Sequence, residues 1–319
     1  MSDLTLNIET AQSQLNHSPM NRILIWIQAL RAPFFTASIV PLVLGMAIAW
    51  YDTARFDLLL GFMTLIAGVA IHAGTNLAND YFDQPTDDVN QNFSPFNGGS
   101  RMIQNNVLAP RQIMIASVIC YLIGIVTALF IILNTGGFLL LFFLAFAVLL
   151  GLFYTALPVQ LSYRGLGEIA VFVGFGPLGV LSAYFIQLGY INWGLCLLAS
   201  IPIAFLIAMV LFLNEFQDLD ADREAGKNTL VVVIGKGSGI KIYVTGMIIA
   251  YLFLLVGIVS TIFPLSLIIP FITLPLAIKA ILTARKNYQL IKELQPANAM
   301  TILTHFAFGI MMALAFVLA

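Results

Sequence analysis

Hydrophobic and polar positions follow one another along this chain in long blocks. Nine apolar runs, most of them near the length of about 20 residues that a helix needs to cross a bilayer, are separated by polar segments. The runs cover residues 23–50, 58–79, 112–133, 138–156, 166–189, 193–213, 240–262, 265–284 and 299–319. Continuous runs exclude a membrane β-barrel, whose strands alternate apolar and polar positions. Pro33 and Pro41 predict kinks in the first helix.

The composition agrees with this pattern. Hydrophobic residues make up 60% of the 319 residues and charged residues 9%, whereas soluble domains carry about 25% charged residues. The predicted fold class is therefore all-α, a polytopic bundle of nine transmembrane helices in the lipid bilayer. A net charge of −1 without a large basic patch gives no reason to expect a nucleic-acid partner. Nothing in the sequence points to an obligate protein partner.

The positive charges predict an orientation. If nine helices alternate in direction, 13 of the 14 lysine and arginine residues share one side with the N-terminal segment, and Arg55 lies on the other. Since these residues concentrate in cytoplasmic loops, we expect the N-terminus in the cytoplasm of a prokaryote and the protein in its inner membrane. Residues 1–20 are polar and lack the features of a signal peptide. We expect a mobile cytoplasmic tail there and one membrane domain over residues 21–319.

An acidic segment stands at the end of the second apolar run, where a hydrophobic helix should leave the bilayer. A charge at the bilayer centre costs at least ~2.5 kcal/mol on insertion scales, so carboxylates at the membrane edge indicate function. Polar residues recur here at spacings i, i+4, i+7 and i+11, which form one stripe on an unbroken helix. They are Asn76, Asp80, Asp83 and Asp87. Pro85 predicts a break or restart of the helix before the last of them.

A similar pattern follows the sixth apolar run. Asn214-x-x-x-Asp218 repeats the spacing of Asn76-x-x-x-Asp80 four helices later. Such a repeat predicts two related four-helix halves plus a ninth helix. The two acidic clusters would then face each other across a central cavity that opens to the cytoplasmic side.

Acidic clusters that face one another need cations between them, because several carboxylates cannot all stay ionised at low dielectric constant. Mg²⁺ binds carboxylates together with substrate phosphates, so the clusters predict a site for divalent metal and an anionic ligand. Basic residues on the same side could neutralise phosphate oxygens; they are Arg101, Arg164, Arg223 and Lys227. The glycine-rich segment 94–101 predicts a phosphate-binding nest, a mobile lid or a plain loop. His72, one turn before Asn76, could approach the cavity, although a packed histidine is the simpler interpretation.

These residues resemble the signatures of a known family. Asn79-Asp80-x-x-Asp83-x-x-x-Asp87 resembles the first signature of the UbiA superfamily of intramembrane aromatic prenyltransferases, and Asp218-x-x-x-Asp222 resembles the second. The resemblance covers nearly the whole chain and places both motifs in the loops after helices 2 and 6. Segments 154–158, 163–168 and 225–230 are similar to the menaquinone branch, whose members use 1,4-dihydroxy-2-naphthoate.

The resemblance implies a reaction and its residues. An aromatic acceptor would attack the allylic carbocation formed when diphosphate leaves a polyprenyl diphosphate, with two Mg²⁺ ions bridging the diphosphate. The implied catalytic residues are Asp80, Asp83, Asp218 and Asp222. The implied metal ligands are Asp80, Asp83, Asp87, Asp218 and Asp222. The implied substrate-binding residues are Asn76, Asn79, Arg101, Tyr154, Tyr163, Arg164, Asn214, Arg223 and Lys227. In the naphthoate branch the product would be demethylmenaquinone, formed with loss of CO₂ and release of diphosphate.

Three departures from the family pattern keep other acceptors open. Pro158 stands where some relatives have lysine, a charge that Arg164 could supply; Gln217 precedes the second motif, and Asn228 replaces a frequent basic residue. The alternative acceptors are 4-hydroxybenzoate, homogentisate, a phenol or a quinolone. A divalent-cation or anion transporter is the alternative from another class. Transporters place their sites near the midplane, whereas the acids here stop at one end, and a non-catalytic scaffold leaves the paired motifs unexplained.

Overall fold

The computed structural model describes residues 19–94 and 96–319, and these form a bundle of long helices. The helices, numbered in chain order, are α1 (Pro19–Ala29), α2 (Thr36–Thr53), α3 (Leu58–Phe82), α4 (Gln84–Val89), α5 (Pro110–Thr135), α6 (Leu139–Leu152), α7 (Gly167–Leu188), α8 (Trp193–Glu224), α9 (Leu230–Val259), α10 (Leu274–Asn287) and α11 (Ile291–Val317). Short 3₁₀ segments cover Ala32–Phe35, Leu161–Arg164 and Leu265–Thr273. The predicted fold class, an all-α membrane bundle, is confirmed.

Every predicted apolar run is helical, but the runs differ in length. In the described part of the chain, eight helical segments are long and apolar enough to cross a membrane. Helix α6 has 14 residues, and ~1.5 Å per residue gives it about 21 Å against a hydrocarbon core of about 30 Å. The chain is thus an integral, multi-pass membrane protein. The count of nine spans and the relation between two four-helix halves stay predictions.

The first apolar run is interrupted where the sequence predicts a kink. Arg31 has a left-handed backbone, with φ of 54°, and the 3₁₀ turn Ala32–Phe35 follows it with Pro33 in its first positions. Pro41 lies inside α2 and does not end it. Most of the predicted tail over residues 1–20 lies outside the described residues, because the description begins at residue 19.

Helices α3 and α8 carry the acidic residues to the same end of the bundle. Helix α3 ends at Phe82, and α4 restarts with Pro85 in its first turn, as the sequence predicts. Helix α8 runs for 32 residues, well past the apolar run that ends at residue 213. It continues because Phe216 and Leu219 still bury one of its faces. Its acidic residues therefore lie on helical turns, and the prediction that both motifs lie in loops is wrong. The second motif lies within α8, and of the first motif only Asp83 lies between helices, at the boundary of α3 and α4.

The largest core cluster lies between α2, α7, α8, α9 and α11. Tyr184, Phe212 and Phe308 are fully buried in it. Helices α2 and α7 approach closely because Gly45 has no side chain, and a Cβ there would collide with the Val180 carbonyl. This core fixes the positions of the helices that surround two neighbouring cavities.

Candidate active site

A polar cavity of about 200 Å³ lies between the ends of α3 and α8. Acidic residues from both helix ends line it; they are Asp83, Asp87, Asp218 and Asp222. Further residues predicted from the sequence also line it, namely Asn76, Asn79, Tyr154, Asn214 and Lys227. The two acidic clusters therefore meet at one cavity.

The structure shifts the register of the sequence repeat by one helical turn. Both helix ends present an asparagine and two aspartates spaced i, i+4 and i+8 to the polar cavity. They are Asn79, Asp83 and Asp87 from the first end and Asn214, Asp218 and Asp222 from the second. Asp80, which the sequence analysis paired with Asp218, is 3% exposed and does not line this cavity. Its carboxylate accepts the backbone N–H of Ser100 at 3.1 Å.

Asp83 is held by three donors. The Nζ atom of Lys227 donates to Oδ2 at 2.9 Å, the Asn79 amide donates to the same oxygen at 2.9 Å, and the Tyr163 hydroxyl donates to Oδ1 at 2.8 Å. Burial and the Asp83 charge raise the pKa of Tyr163 to about 12. The phenol therefore keeps its proton and remains a donor. Tyr163 does not itself line the polar cavity, but it contacts Asp83, which does.

Lys227 is the main cation between the two helix ends. Its Nζ lies 3.9 Å from Asp222 as well as 2.9 Å from Asp83, and 5.2 Å from the centre of the Tyr163 ring. Burial by itself lowers the pKa of Lys227, but the attraction of Asp83 and Asp222 outweighs burial and raises it well above the ordinary lysine value. The ammonium group stays charged and is available to an anionic ligand.

The loop after α4 supplies the partners of Asp218. The amides of Asn90 and Asn97 donate to Asp218 Oδ1 at 2.7 Å and 2.5 Å. Gly98 and Gly99, which have φ of 75° and 71°, line the polar cavity next to Asn97. A Cβ at Gly99 would collide with Asp87, so glycine is required for this close approach. The predicted glycine-rich segment thus reaches the cavity, although Pro95 lies outside the described residues.

The charge and chemistry of the polar cavity fit a divalent cation such as Mg²⁺. Five carboxyl groups but two cationic side chains line it. Burial and the neighbouring carboxylates of Asp83 and Asp80 raise the pKa of Asp87 to about 8, a sign of uncompensated negative charge. Among residues 19–94 and 96–319, no three acidic, histidine or cysteine side chains are close enough to hold a metal by themselves. Mg²⁺ often takes its remaining ligands from water and substrate phosphates, so the cavity carboxylates need not complete its coordination by themselves.

An apolar cavity of about 180 Å³ adjoins the polar one. Side chains of α2, α3, α5, α6 and α7 surround it, among them Leu42, Ile131 and Phe143. The two cavities share five lining residues, which are His72, Thr75, Tyr154, Val171 and Phe175. We call this shared boundary the junction. Burial raises the pKa of Tyr154, so its phenol at the junction is neutral.

Three predicted basic residues do not reach the polar cavity. Arg164 is exposed and donates to the Pro158 carbonyl at 3.0 Å, and Arg223 is exposed at the end of α8. Arg101 points its guanidinium at the Asp87 carbonyl, 2.5 Å away, and stacks on Phe93 with 4.4 Å between group and ring centre. The contacts of Arg101 stabilise the loop. The exposed positions of Arg164 and Arg223 do not support the prediction that either side chain binds phosphate.

Sequence reasoning missed several residues that line the polar cavity. They are Arg31, Asn90 and Glu215, and Asn97 was singled out only as part of the glycine-rich segment 94–101. The sequence analysis used Arg31 only to predict the orientation in the membrane. Its place two residues before Pro33 indicates an interruption of the helix, and such an interruption can turn a side chain inward. The asparagines lie outside the helical periodicity, so no spacing rule selects them.

The departure at Gln217 also has a structural explanation. Its amide donates to Asn298 Oδ1 at 2.9 Å, and the Asn298 amide donates to Asn214 Oδ1 at 2.6 Å. Gln217 therefore faces α11 and holds Asn214 through Asn298. A basic side chain in its place would be buried beside α11, away from the cavity.

Known proteins share both the sequence pattern and the fold. The sequence profile of the UbiA prenyltransferase family matches residues 38–310. A 2-carboxy-1,4-naphthoquinone phytyltransferase from Synechocystis sp. is 26% identical over 291 residues, which are 91% of this chain and 92% of that protein. UbiA prenyltransferase domain-containing protein 1 of Rattus norvegicus is 31% identical over 255 residues, 79% of this chain and 72% of that protein.

Solved structures agree at the level of the fold. A UbiA homolog from Archaeoglobus fulgidus, bound to GPP and Mg²⁺, superposes with a TM-score of 0.61 at 15% identity, covering 92% of this chain and 100% of that one. A digeranylgeranylglyceryl phosphate synthase superposes with a TM-score of 0.60 at 17% identity, covering 94% and 100%. At these identities the likeness establishes the fold of the bundle.

Proposed function

Because this chain belongs to the UbiA prenyltransferase family, we propose that it transfers a polyprenyl group from polyprenyl diphosphate to 1,4-dihydroxy-2-naphthoate. Diphosphate and CO₂ are released, and the product is the naphthoquinol form of demethylmenaquinone. One observation carries the proposal: a polar cavity with paired Asn-x-x-x-Asp-x-x-x-Asp helix ends opens directly onto an apolar cavity. A diphosphate ester of a long hydrocarbon needs both compartments in this order.

The diphosphate binds in the polar cavity in this proposal. Lys227 and Arg31 are the cationic side chains that line it, and Lys227 stabilises the charge that develops on the departing diphosphate. The cavity aspartates would hold Mg²⁺, which when bound would supply Lewis-acid assistance to this departure and neutralise the ligand's charge. Asp83, Asp87, Asp218 and Asp222 are the proposed metal ligands. Asp80 is proposed to act on them through the loop at Ser100 rather than as a ligand.

The hydrocarbon tail occupies the apolar cavity, where leucine, isoleucine and phenylalanine side chains surround it. The reacting carbon then lies at the junction. Tyr154 and Phe175 present aromatic rings there, and such faces stabilise a developing allylic cation. The electron-rich ring of the acceptor attacks this carbon from the polar side.

The naphthoate acceptor is favoured by the Synechocystis relative, whose name specifies a naphthoquinone. A second observation agrees with it, since Arg31 adds a cation to the polar cavity that suits an acceptor carrying a carboxylate. 4-Hydroxybenzoate and homogentisate carry the same group and are therefore the competing acceptors. We also propose that the polar cavity faces the cytoplasm and that residues 21–319 act as one membrane domain.

The test uses the purified chain in proteoliposomes with Mg²⁺, a labelled polyprenyl diphosphate and each acid separately. We expect a prenylated naphthoquinol and one equivalent of CO₂ with 1,4-dihydroxy-2-naphthoate. EDTA should stop the reaction and added Mg²⁺ should restore it. Product with 4-hydroxybenzoate alone would contradict the acceptor but retain the prenyl transfer. Mg²⁺ flux in the same vesicles, without any prenylated product, would instead support the transporter.

A further inference from the structure

We propose that His72 recognises the aromatic acceptor, with Nε2 of its ring accepting a hydrogen bond from a ring hydroxyl. The inference rests on the proposed function, because it assigns one residue to the acceptor of that reaction. It also requires that the acceptor carry a free hydroxyl group beside the carbon that is prenylated.

His72 lies where the acceptor has to meet the donor. It belongs to the junction, so it faces the polar and the apolar cavity at once. Its side chain is 7% exposed, and it contributes to the lining of both cavities. A ligand ring that approaches the end of the hydrocarbon tail from the polar side therefore passes next to this imidazole.

A chain of two hydrogen bonds fixes the tautomer of the ring. The Ser38 hydroxyl donates its single proton to the Phe35 carbonyl at 3.0 Å. In its 3.2 Å contact with His72 Nδ1 the hydroxyl must then act as acceptor. Nδ1 consequently carries the ring proton, and a neutral imidazole leaves its lone pair on Nε2.

That lone pair is available. Within the part of the chain that the structure describes, Nε2 has no hydrogen-bond partner. It is not one of the fully buried polar atoms that lack a partner, so a ligand can reach it. Nor do the described residues give the ring a carboxylate that would hold it protonated. Two aromatic rings fix its plane, since Phe35 and Phe175 lie with centroids 5.6 Å and 4.8 Å from it. Nε2 is therefore a pre-oriented acceptor that faces a ligand space.

The other polar groups of the junction do not offer the same chemistry. Thr75 donates to the Ile71 carbonyl at 3.0 Å and shares a 3.0 Å hydrogen bond with Tyr121, so its hydroxyl is occupied. Tyr154 carries a neutral phenol that can donate to a ring oxygen. His72, as an acceptor, therefore distinguishes a hydroxyl, which can donate, from a methoxy group, which cannot.

The experiment measures equilibrium binding, so that it does not depend on turnover. Labelled 4-hydroxy-2-naphthoate and 4-methoxy-2-naphthoate, whose oxygen substituent cannot bond to the carboxylate, are titrated into the detergent-solubilised full chain saturated with Mg²⁺ and a non-hydrolysable polyprenyl thiolodiphosphate. We expect the hydroxy compound to bind about tenfold more tightly than the methoxy compound, the discrimination typical of one hydrogen bond. His72→Phe keeps an aromatic ring and should bind both compounds equally. Binding of the thiolodiphosphate should stay within about twofold of the original value.

Two further variants separate recognition from packing. His72→Gln can place an amide oxygen near the position of Nε2 and should recover part of the discrimination, whereas His72→Asn, which cannot reach it, should not. Ser38→Ala frees the tautomer and should reduce the discrimination without weakening thiolodiphosphate binding. Full discrimination in His72→Phe would overturn the inference and leave the proposed function standing. If the unaltered chain binds neither naphthoate and forms no product from any aromatic acid, the proposed function and the inference fail together.

Discussion

The acidic ends of α3 and α8 share one arrangement of an asparagine and two aspartates, but different partners stabilise the central aspartate of each. On α3, Asp83 is paired with the ammonium group of Lys227 at 2.9 Å. On α8, Asp218 forms no ion pair with any described residue and accepts two neutral amides, from Asn90 and Asn97. An amide dipole stabilises a carboxylate without cancelling its charge. Asp218 therefore keeps more of its negative charge than Asp83 and depends more strongly on a bound cation.

The same comparison shows that spacing by itself does not decide which aspartate faces the polar cavity. Asp80 and Asp218 both follow an asparagine by four positions, yet Asp80 accepts a backbone N–H from the covering loop while Asp218 faces the polar cavity. The residue that occupies the equivalent place is Asp83, three positions later. Substitutions that remove charge without removing volume can test this assignment.

The largest expected effect is the loss of the charge at Asp218. Asp218→Asn keeps the size of the side chain but removes the carboxylate that the two amides hold. We expect prenyl transfer to fall by about 10³-fold, in the range of lost electrostatic stabilisation at an active site. Initial rates at saturating donor give the value, and a monodisperse elution profile with an unchanged unfolding temperature serves as the control for folding. A loss below tenfold would mean that this carboxylate is not a metal ligand.

A smaller effect is expected at Asp80, on the same helix turn as Asp83. Asp80→Asn keeps an oxygen that accepts the Ser100 N–H, so the rate should change by less than about threefold. Asp80→Ala leaves that buried N–H without a partner and should reduce stability by about 1–3 kcal/mol. The matched control is Asp83→Asn, for which we expect a loss of the size seen at Asp218. If Asp80→Asn and Asp83→Asn are equally inactive, the shifted register of the repeat is wrong.

The fold and half of the site follow from the sequence for a physical reason. Apolar runs must be helical in a bilayer, because the backbone has no water with which to form hydrogen bonds. Carboxylates at the end of such a run are costly in a membrane, so they indicate function. Residues of the loop after α4 approach the acidic end of α8 only in the folded chain, and no periodic pattern in the sequence indicates this approach. Asn97 was therefore predicted only as part of the glycine-rich segment 94–101, without its contact to Asp218, while Arg164 and Arg223 were predicted from their position in the chain and point elsewhere. The shift from Asp80 to Asp83 has the same origin, since both residues satisfy a helical spacing.

The smallest expected effects belong to the two arginines that the sequence favours and the structure places outside the polar cavity. Arg164 is exposed and bonded to a backbone carbonyl, and Arg223 is exposed at a helix end; exposed charges in water contribute little to a ligand several side chains away. Arg164→Ala and Arg223→Ala should each change the rate and the KM for the donor by less than about twofold. Lys227→Ala, measured in the same membranes, should lower the rate by about 100-fold, because it removes the buried cation beside the diphosphate. A tenfold rise in the donor KM of Arg164→Ala would show that this side chain turns into the cavity when the diphosphate binds, and the charge balance between the two helix ends would then have to include it.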